Sequence, residues 1–162
     1  DHLHTLEAMN FLKEIPAPNG NRWIFAHSAF KEAFYSSMLD EDKRRLHETL
    51  GRRLEEAFAD RIPEYAELLA VHFSRAENTE RALYYHVKAG DRQSTLGEIS
   101  GAVYHYSEAM ELIESLPSDP ALIALMARIF VHKARLRRKQ GDFDEAENLL
   151  ASAMECASEI NP

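Results

Sequence analysis

Hydrophobic positions recur with a helical period along most of the chain. Leu46, Leu50, Leu54 and Phe58 return every four residues. Tyr65, Leu68, Leu69, His72 and Phe73 follow the i, i+3, i+4, i+7, i+8 spacing that lays one stripe along a helix. Ala82, Tyr85, His86 and Ala89 make a further stripe, and Ile99, Ala102, Val103, Tyr106, Ala109, Met110 and Ile113 the next. Leu122, Leu125, Met126, Ile129 and Phe130 mark another helix, and residues 143–157 the last. Breaks fall at Pro63, which suits a first helical turn, at Asn78, a turn or cap residue, and at Asp119-Pro120, a capped start. The pattern predicts helices over residues 42–59, 63–76, 79–95, 98–115, 120–140 and 143–159, forming three antiparallel pairs. Each pair would leave an apolar face that only a neighbouring pair can cover.

The first forty residues read differently. Leu6, Met9, Asn10 and Phe11 close a short helix, and Asn19-Gly20 is a turn signal followed by the strand-favouring Trp23-Ile24-Phe25. Ser28 is expected to cap a helix carrying Ala29, Phe30, Ala33, Phe34 and Met38. Helix, hairpin and helix in this order resemble the end of a winged helix.

At the other end, Gly141-Asp142-Phe143-Asp144-Glu145-Ala146, with Leu150 and Ala153, resembles the join between two helices of a tetratricopeptide-like repeat. Gly141 would end one helix and Asp142 cap the next, with Phe143 wedged into the corner and Ala146 allowing close approach. A weaker copy begins at Gly97-Glu98-Ile99-Ser100-Gly101-Ala102, followed by Tyr106 and Ala109. Ala146 lies 44 residues beyond Ala102, longer than the usual period of about 34, and the loop around Leu116-Pro117-Ser118-Asp119-Pro120 would absorb the surplus. The expected architecture is all-α: antiparallel helix pairs in a right-handed tetratricopeptide-like superhelix over 41–162, with a winged-helix remnant containing a β-hairpin over 1–40.

Composition narrows the function classes. The chain has 162 residues, 45% hydrophobic and 28% charged, within the range of globular proteins. No apolar run reaches the roughly 20 residues needed to span a bilayer. Cys156 is the single cysteine, which excludes an internal disulfide and a thiolate zinc cage. With a net charge of −8, whole-surface attraction to nucleic acid or anionic membrane is disfavoured, and the setting expected is reducing and cytoplasmic. The chain opens on Asp1, so a longer parent protein is expected.

A second resemblance rests on Phe25-x-His27, Lys31-Glu32-Ala33-Phe34, Met38-Leu39, Arg44-Arg45-Leu46-His47 and Leu54-Glu55. It continues through Leu69-Ala70-x-His72-Phe73-x-x-Ala76, Arg81-Ala82-x-x-Tyr85 and Lys88-Ala89-Gly90. This series is similar to the region downstream of the ATPase domain in bacterial STAND- or AAA-type signalling ATPases. Those proteins accompany adenylate/guanylate cyclase domains, protein kinase domains or LuxR-type DNA-binding domains. The sequence departs from the family at Phe34, where tyrosine is common, and at Gly51, where alanine is common; glycine inside a helix costs about 1 kcal/mol relative to alanine. The resemblance implies a regulatory segment that binds a partner protein or docks on its own ATPase domain. No G-x-x-x-x-G-K-[ST] phosphate loop occurs in the chain, so nucleotide chemistry would belong to sequence outside it.

Candidate sites are few. His2-x-His4 lacks a third ligand nearby, and no His-x-x-x-His spacing occurs among eight histidines, so neither metal nor cofactor is expected. His27 and His47 fall on positions of the family pattern and are expected to pack the winged-helix remnant against the first repeat. Arg128, Lys133, Arg135, Arg137, Arg138 and Lys139 crowd one helix toward its C-terminus, where the macrodipole favours cations. No nucleophile motif or paired carboxylate stands out, so no enzymatic activity is expected. The inner face of a repeat array comes mostly from the first helix of each pair. On that logic Tyr84, His86, Lys88, Arg92 and Gln93, with Arg128, His132 and Arg135, are the expected protein-binding residues. A free-standing adaptor is the rival reading; DNA binding through the winged-helix remnant is disfavoured by the charge and by Lys13 being the one basic side chain before Arg22, His2 and His4 aside.

Overall fold

The structure, a computed structural model, describes residues 2–17 and 20–160. Among these residues it is mostly helical, with eight α-helices, one 3-10 turn and one two-stranded antiparallel hairpin. The chain divides into two compact units, 1–43 and 44–162.

The first unit holds α1 (His2–Ala8), β1 (Leu12–Ala17), β2 (Gly20–Phe25) and α2 (Ser28–Ser37). The strands pair from Leu12 opposite Phe25 to Ala17 opposite Gly20, and Ala26 N–H donates to Phe11 C=O at 2.9 Å beyond the last pair. Gly20 has φ of +117°, open to glycine at little cost; Asn19, the other half of the expected turn, lies outside the described residues. Aromatic edges tie the hairpin to α2: Phe11 meets Phe30 at 4.8 Å and Phe34 at 5.8 Å between centroids. The cap of α2 is a correction: Ser28 is already helical, and His27 holds the cap position with no side-chain bond to the helix amides.

The second unit begins within α3 (Asp40–Ala57), followed by a 3-10 turn at Ala59–Arg61, then α4 (Ile62–Arg75), α5 (Thr79–Leu96), α6 (Ile99–Glu114), α7 (Pro120–Gln140) and α8 (Phe143–Ile160). These bounds lie within two residues of the helices that the hydrophobic period predicts. The punctuation acts as expected at four points. Asn78 accepts from Arg81 N–H at 3.2 Å, Asp119 from Ala121 N–H at 2.7 Å, and Gly97 and Gly141 close their helices in the left-handed region at φ of 82° and 84°. Helix α4 packs along α5, α5 along α6, and α7 along α8, with a lighter contact between α6 and α7.

One joint recurs. Helix α3 presents His47 and, one turn on, Gly51; α4 answers with His72 and Phe73. Helix α5 presents His86 and Gly90; α6 answers with His105 and Tyr106. In each case the missing side chain of the glycine is the space the aromatic ring occupies. A Cβ on Gly51 would sit 2.8 Å from Phe73, and one on Gly90 2.7 Å from Tyr106. The answering helices even share a local sequence: His72-Phe73-Ser74-x-Ala76 and His105-Tyr106-Ser107-x-Ala109.

This joint overturns part of the α3 reading. Leu46 and Leu50 are 39% and 40% exposed, while their neighbours His47 and Gly51 are buried. The Phe73 ring fills the space at Gly51, where a leucine would not fit, so the inward face is turned one residue from the apolar stripe. Leu68, counted in the α4 stripe, is also exposed, whereas Ala66, Leu69, Ala70 and Phe73 are wholly buried. Further along α3, Glu55 accepts hydrogen bonds from the Arg81 guanidinium and the Tyr85 hydroxyl, tying α3 to α5.

Two apolar clusters share Leu112 on their margins. Ala66, Leu69, Ala70, Phe73, Ala82, Tyr85 and Ala89 form the first; Leu83, Val87, Ala102, Tyr106, Ala109, Ile113, Ile129 and Leu136 form the second. Cys156 is buried on α8 near Ala153, a packing residue as expected.

Substituting Gly90→Ala tests the joint. Alanine raises helix propensity by about 1 kcal/mol, but overpacking against Tyr106 costs about 1–3 kcal/mol. Net destabilisation is expected, read as a lower urea midpoint; a higher midpoint would show that Tyr106 moves aside freely.

Candidate functional site

Helices α5, α6 and α7 bound an open groove of about 660 Å³. Tyr106, from the joint described above, forms its floor, and its hydroxyl donates to Asp91 Oδ1 on α5 at 2.7 Å. Burial, and then the bond to Asp91, push the Tyr106 hydroxyl well above the usual phenol range, so it stays protonated and donating. Helix α7 forms the wall with Arg128, His132, Arg135, Arg138 and Lys139.

Arg128, His132, Arg135 and Lys139 are spaced i, i+4, i+7, i+11 and so share one face of α7. Among the described residues, no acceptor lies within bonding distance of the side chains of Arg128, Arg135, Arg138 or Lys139. Against these four cations the groove holds one carboxylate, Asp91. His132 packs its ring 5.6 Å from that of Tyr106, and burial lowers its pKa, with Arg135 and Arg128 adding to the effect and Asp91 opposing it. The other cations of α7 are committed: Lys133 donates to Ser107 Oγ at 3.1 Å, and Arg137 Nε lies 3.0 Å from Glu145 Oε2.

A second, more apolar hollow of about 560 Å³ adjoins the groove and shares Arg128, His132 and Arg135 with it. Val131 on α7 and Leu150 and Met154 on α8 supply its apolar surface, and Met154 is 73% exposed.

The structure thus brings Arg128, His132 and Arg135 together. It separates the α5 candidates by role. Tyr84 and Lys88 are exposed, with the Lys88 ammonium 5.4 Å from the Tyr84 ring. Arg92 donates to Glu64 C=O at 3.0 Å and Gln93 to Glu67 Oε2 at 3.1 Å, so both serve the α4–α5 contact. His86 is a correction: it is 2% exposed and cannot meet a partner. Phe143 is another: it is 62% exposed at the groove rim, because the left-handed turn at Gly141 starts α8 with that side chain outward, and Ala146 fills the corner.

The site residues that sequence reading missed are Asp91, Tyr106, Arg138 and Lys139. The period of Arg128, His132, Arg135 and Lys139 was the available signal. Crowding at the helix end pointed instead to the macrodipole, which needs no groove.

The buried histidines do other work. His86 Nδ1 lies 3.1 Å from His105 Nδ1, and His86 Nε2 lies 3.0 Å from Ser74 Oγ. His47 Nδ1 lies 2.9 Å from His72 Nδ1. Such a contact needs one ring to donate and the other to accept, so two imidazolium rings cannot keep it. Burial lowers the pKa of His47, His72, His86 and His105, most for His86, to about 4; the charge of its partner His105 adds to the fall. Glu67 opposes burial at His105, and Arg75 reinforces it at His47 and His72. No group of three or more His, Cys, Asp or Glu side chains able to hold a metal occurs among the described residues.

A pH dependence follows. Between the ordinary value of 6.5 and about 4 for His86, the unfolded chain binds more protons than the folded one, so stability rises with pH. The contribution is complete above 6.5 and is lost as pH falls through about 4. Urea midpoints should start to fall below pH 6.5, before carboxylates titrate, and histidine NMR signals should place His86 last. A midpoint independent of pH from 7 to about 5 would show that the pairs are not buried neutral.

No protein-family model and no curated protein sequence matches this chain.

Proposed function

We propose that this chain is a non-catalytic, protein-binding regulatory segment of a multidomain signalling ATPase, working in the cytoplasm. Residues 41–162 would form tetratricopeptide-like repeats in a right-handed superhelix, and residues 1–40 the end of a winged helix. The recurring joint supports the repeat reading: His47 and Gly51 against His72 and Phe73 are matched by His86 and Gly90 against His105 and Tyr106. Two-residue connections at Gly97-Glu98 and Gly141-Asp142 agree with it.

The observation that carries the binding reading is the groove, whose cations Arg128, Arg135, Arg138 and Lys139 meet no acceptor among the described residues. Side chains held beside a buried tyrosine yet committed to nothing are those a partner can use. In the full protein the partner would be another protein or the ATPase domain itself, and occupancy would hold that domain off or release it.

The reading frame around this segment should encode a phosphate loop upstream. Deleting residues 44–162 from the full protein should change its basal nucleotide hydrolysis several-fold, measured as phosphate release under saturating nucleotide. A frame without an ATPase module, or hydrolysis unchanged by the deletion, would sink the regulatory reading.

A further inference from the structure

We infer that the groove on α7 takes an extended acidic peptide, with carboxylates on the cation row and an apolar side chain in the neighbouring hollow. The inference rests on the protein-binding reading and names the chemistry of the partner.

The row decides between anions. Arg128 and Lys139 are eleven residues apart on α7, about 16 Å along the helix axis. A single phosphate is gathered by groups that converge on a point, commonly with the free amides of a helix N-terminus. Here the charges are strung out along α7 instead of converging on a point. An extended strand advances roughly 3.3 Å per residue, so carboxylates two or three positions apart can meet successive cations. Arginine forks suit that role, because each can take a carboxylate through two parallel bonds.

The surroundings favour a peptide over nucleic acid. The chain carries a net charge of −8, so a long polyanion is repelled wherever it leaves the groove. A short acidic segment meets only the local excess of four cations over one carboxylate. Beside the row, Val131, Leu150 and Met154 offer an apolar hollow that a leucine or phenylalanine of the peptide would fill and that a sugar-phosphate backbone would not.

The test is fluorescence anisotropy with the whole chain and four labelled probes. One is a ten-residue peptide with alternating Asp or Glu and two leucines; the second replaces each acid by its amide; the third replaces each acid by lysine; the fourth is oligodeoxythymidylate. The acidic peptide should bind, its affinity should fall with added salt, and the amide peptide should bind about tenfold more weakly or worse. The double variant Arg128→Glu, Arg135→Glu should lose the acidic peptide and gain its lysine-substituted counterpart, a reversal that damage to the fold would not produce. Arg53→Gln, at an exposed cation paired with Glu56, should change nothing. Equal binding of the acidic and amide peptides, no binding of either, no effect of the charge reversal, or tighter binding of the oligonucleotide would each overturn the inference. The nucleotide-hydrolysis measurement is independent: a change there without peptide binding keeps the regulatory reading and removes this one, and the converse result does the opposite.

Discussion

An aromatic ring seated against a glycine of the neighbouring helix is the constraint on which the second unit depends. Gly51 admits Phe73, and Gly90 admits Tyr106, each where a methyl group would already overlap the ring. Once those rings are seated, neighbouring positions have little choice. The residue one turn before each glycine must pass close to the opposite helix, and in both joints it is a histidine meeting a histidine. A buried polar ring left without a partner would cost several kcal/mol in an apolar setting; two rings that share a proton satisfy one another. The glycine penalty within α3 and α5 is thus offset by packing that no larger residue permits.

The same constraint builds the groove. Tyr106 fills the space at Gly90, its hydroxyl reaches Asp91 one residue further along α5, and its ring supports His132 from α7. The wall of cations therefore stands on the core. Arg128, Arg135 and Lys139 project from the same helix that contributes Ile129 and Leu136 to the buried cluster, so their spacing is fixed by a packed helix rather than by a loop.

Helix positions were legible in the sequence because their signals are local: period, Asn78 and Asp119 as caps, Gly97 and Gly141 as stops. Burial was less so. The leucine stripe of α3 pointed one residue away from the true inward face, since His47 and Gly51 carry no apolar signature and face inward only through tertiary approach. Phe143 looked like a wedge because it is large and apolar, yet the turn geometry at Gly141 sends it outward and leaves Ala146 to pack. At the groove, Arg128, His132 and Arg135 were readable as one face of α7. Asp91 and Tyr106 were not, because they join the site from two other helices and only folding places them there. His86 lies in the apolar stripe of Ala82, Tyr85 and Ala89, so its burial was legible there, but choosing it as a binding residue by its place on the first helix of a pair set that stripe aside.

The third helix pair departs from the joint that the first two share. Where His86 contacts Ser74, α7 brings Lys133 to Ser107, and Arg137 faces Glu145 across the next contact. Charge has replaced the neutral imidazole pair. The two ends therefore differ in what acts on their polar contacts: protonation acts on the histidine pairs of α3–α6, whereas salt screens the Arg137–Glu145 ion pair of α7 and α8. The groove, lined from α5, α6 and α7, therefore stands between the part of the unit that answers to acid and the part that answers to salt.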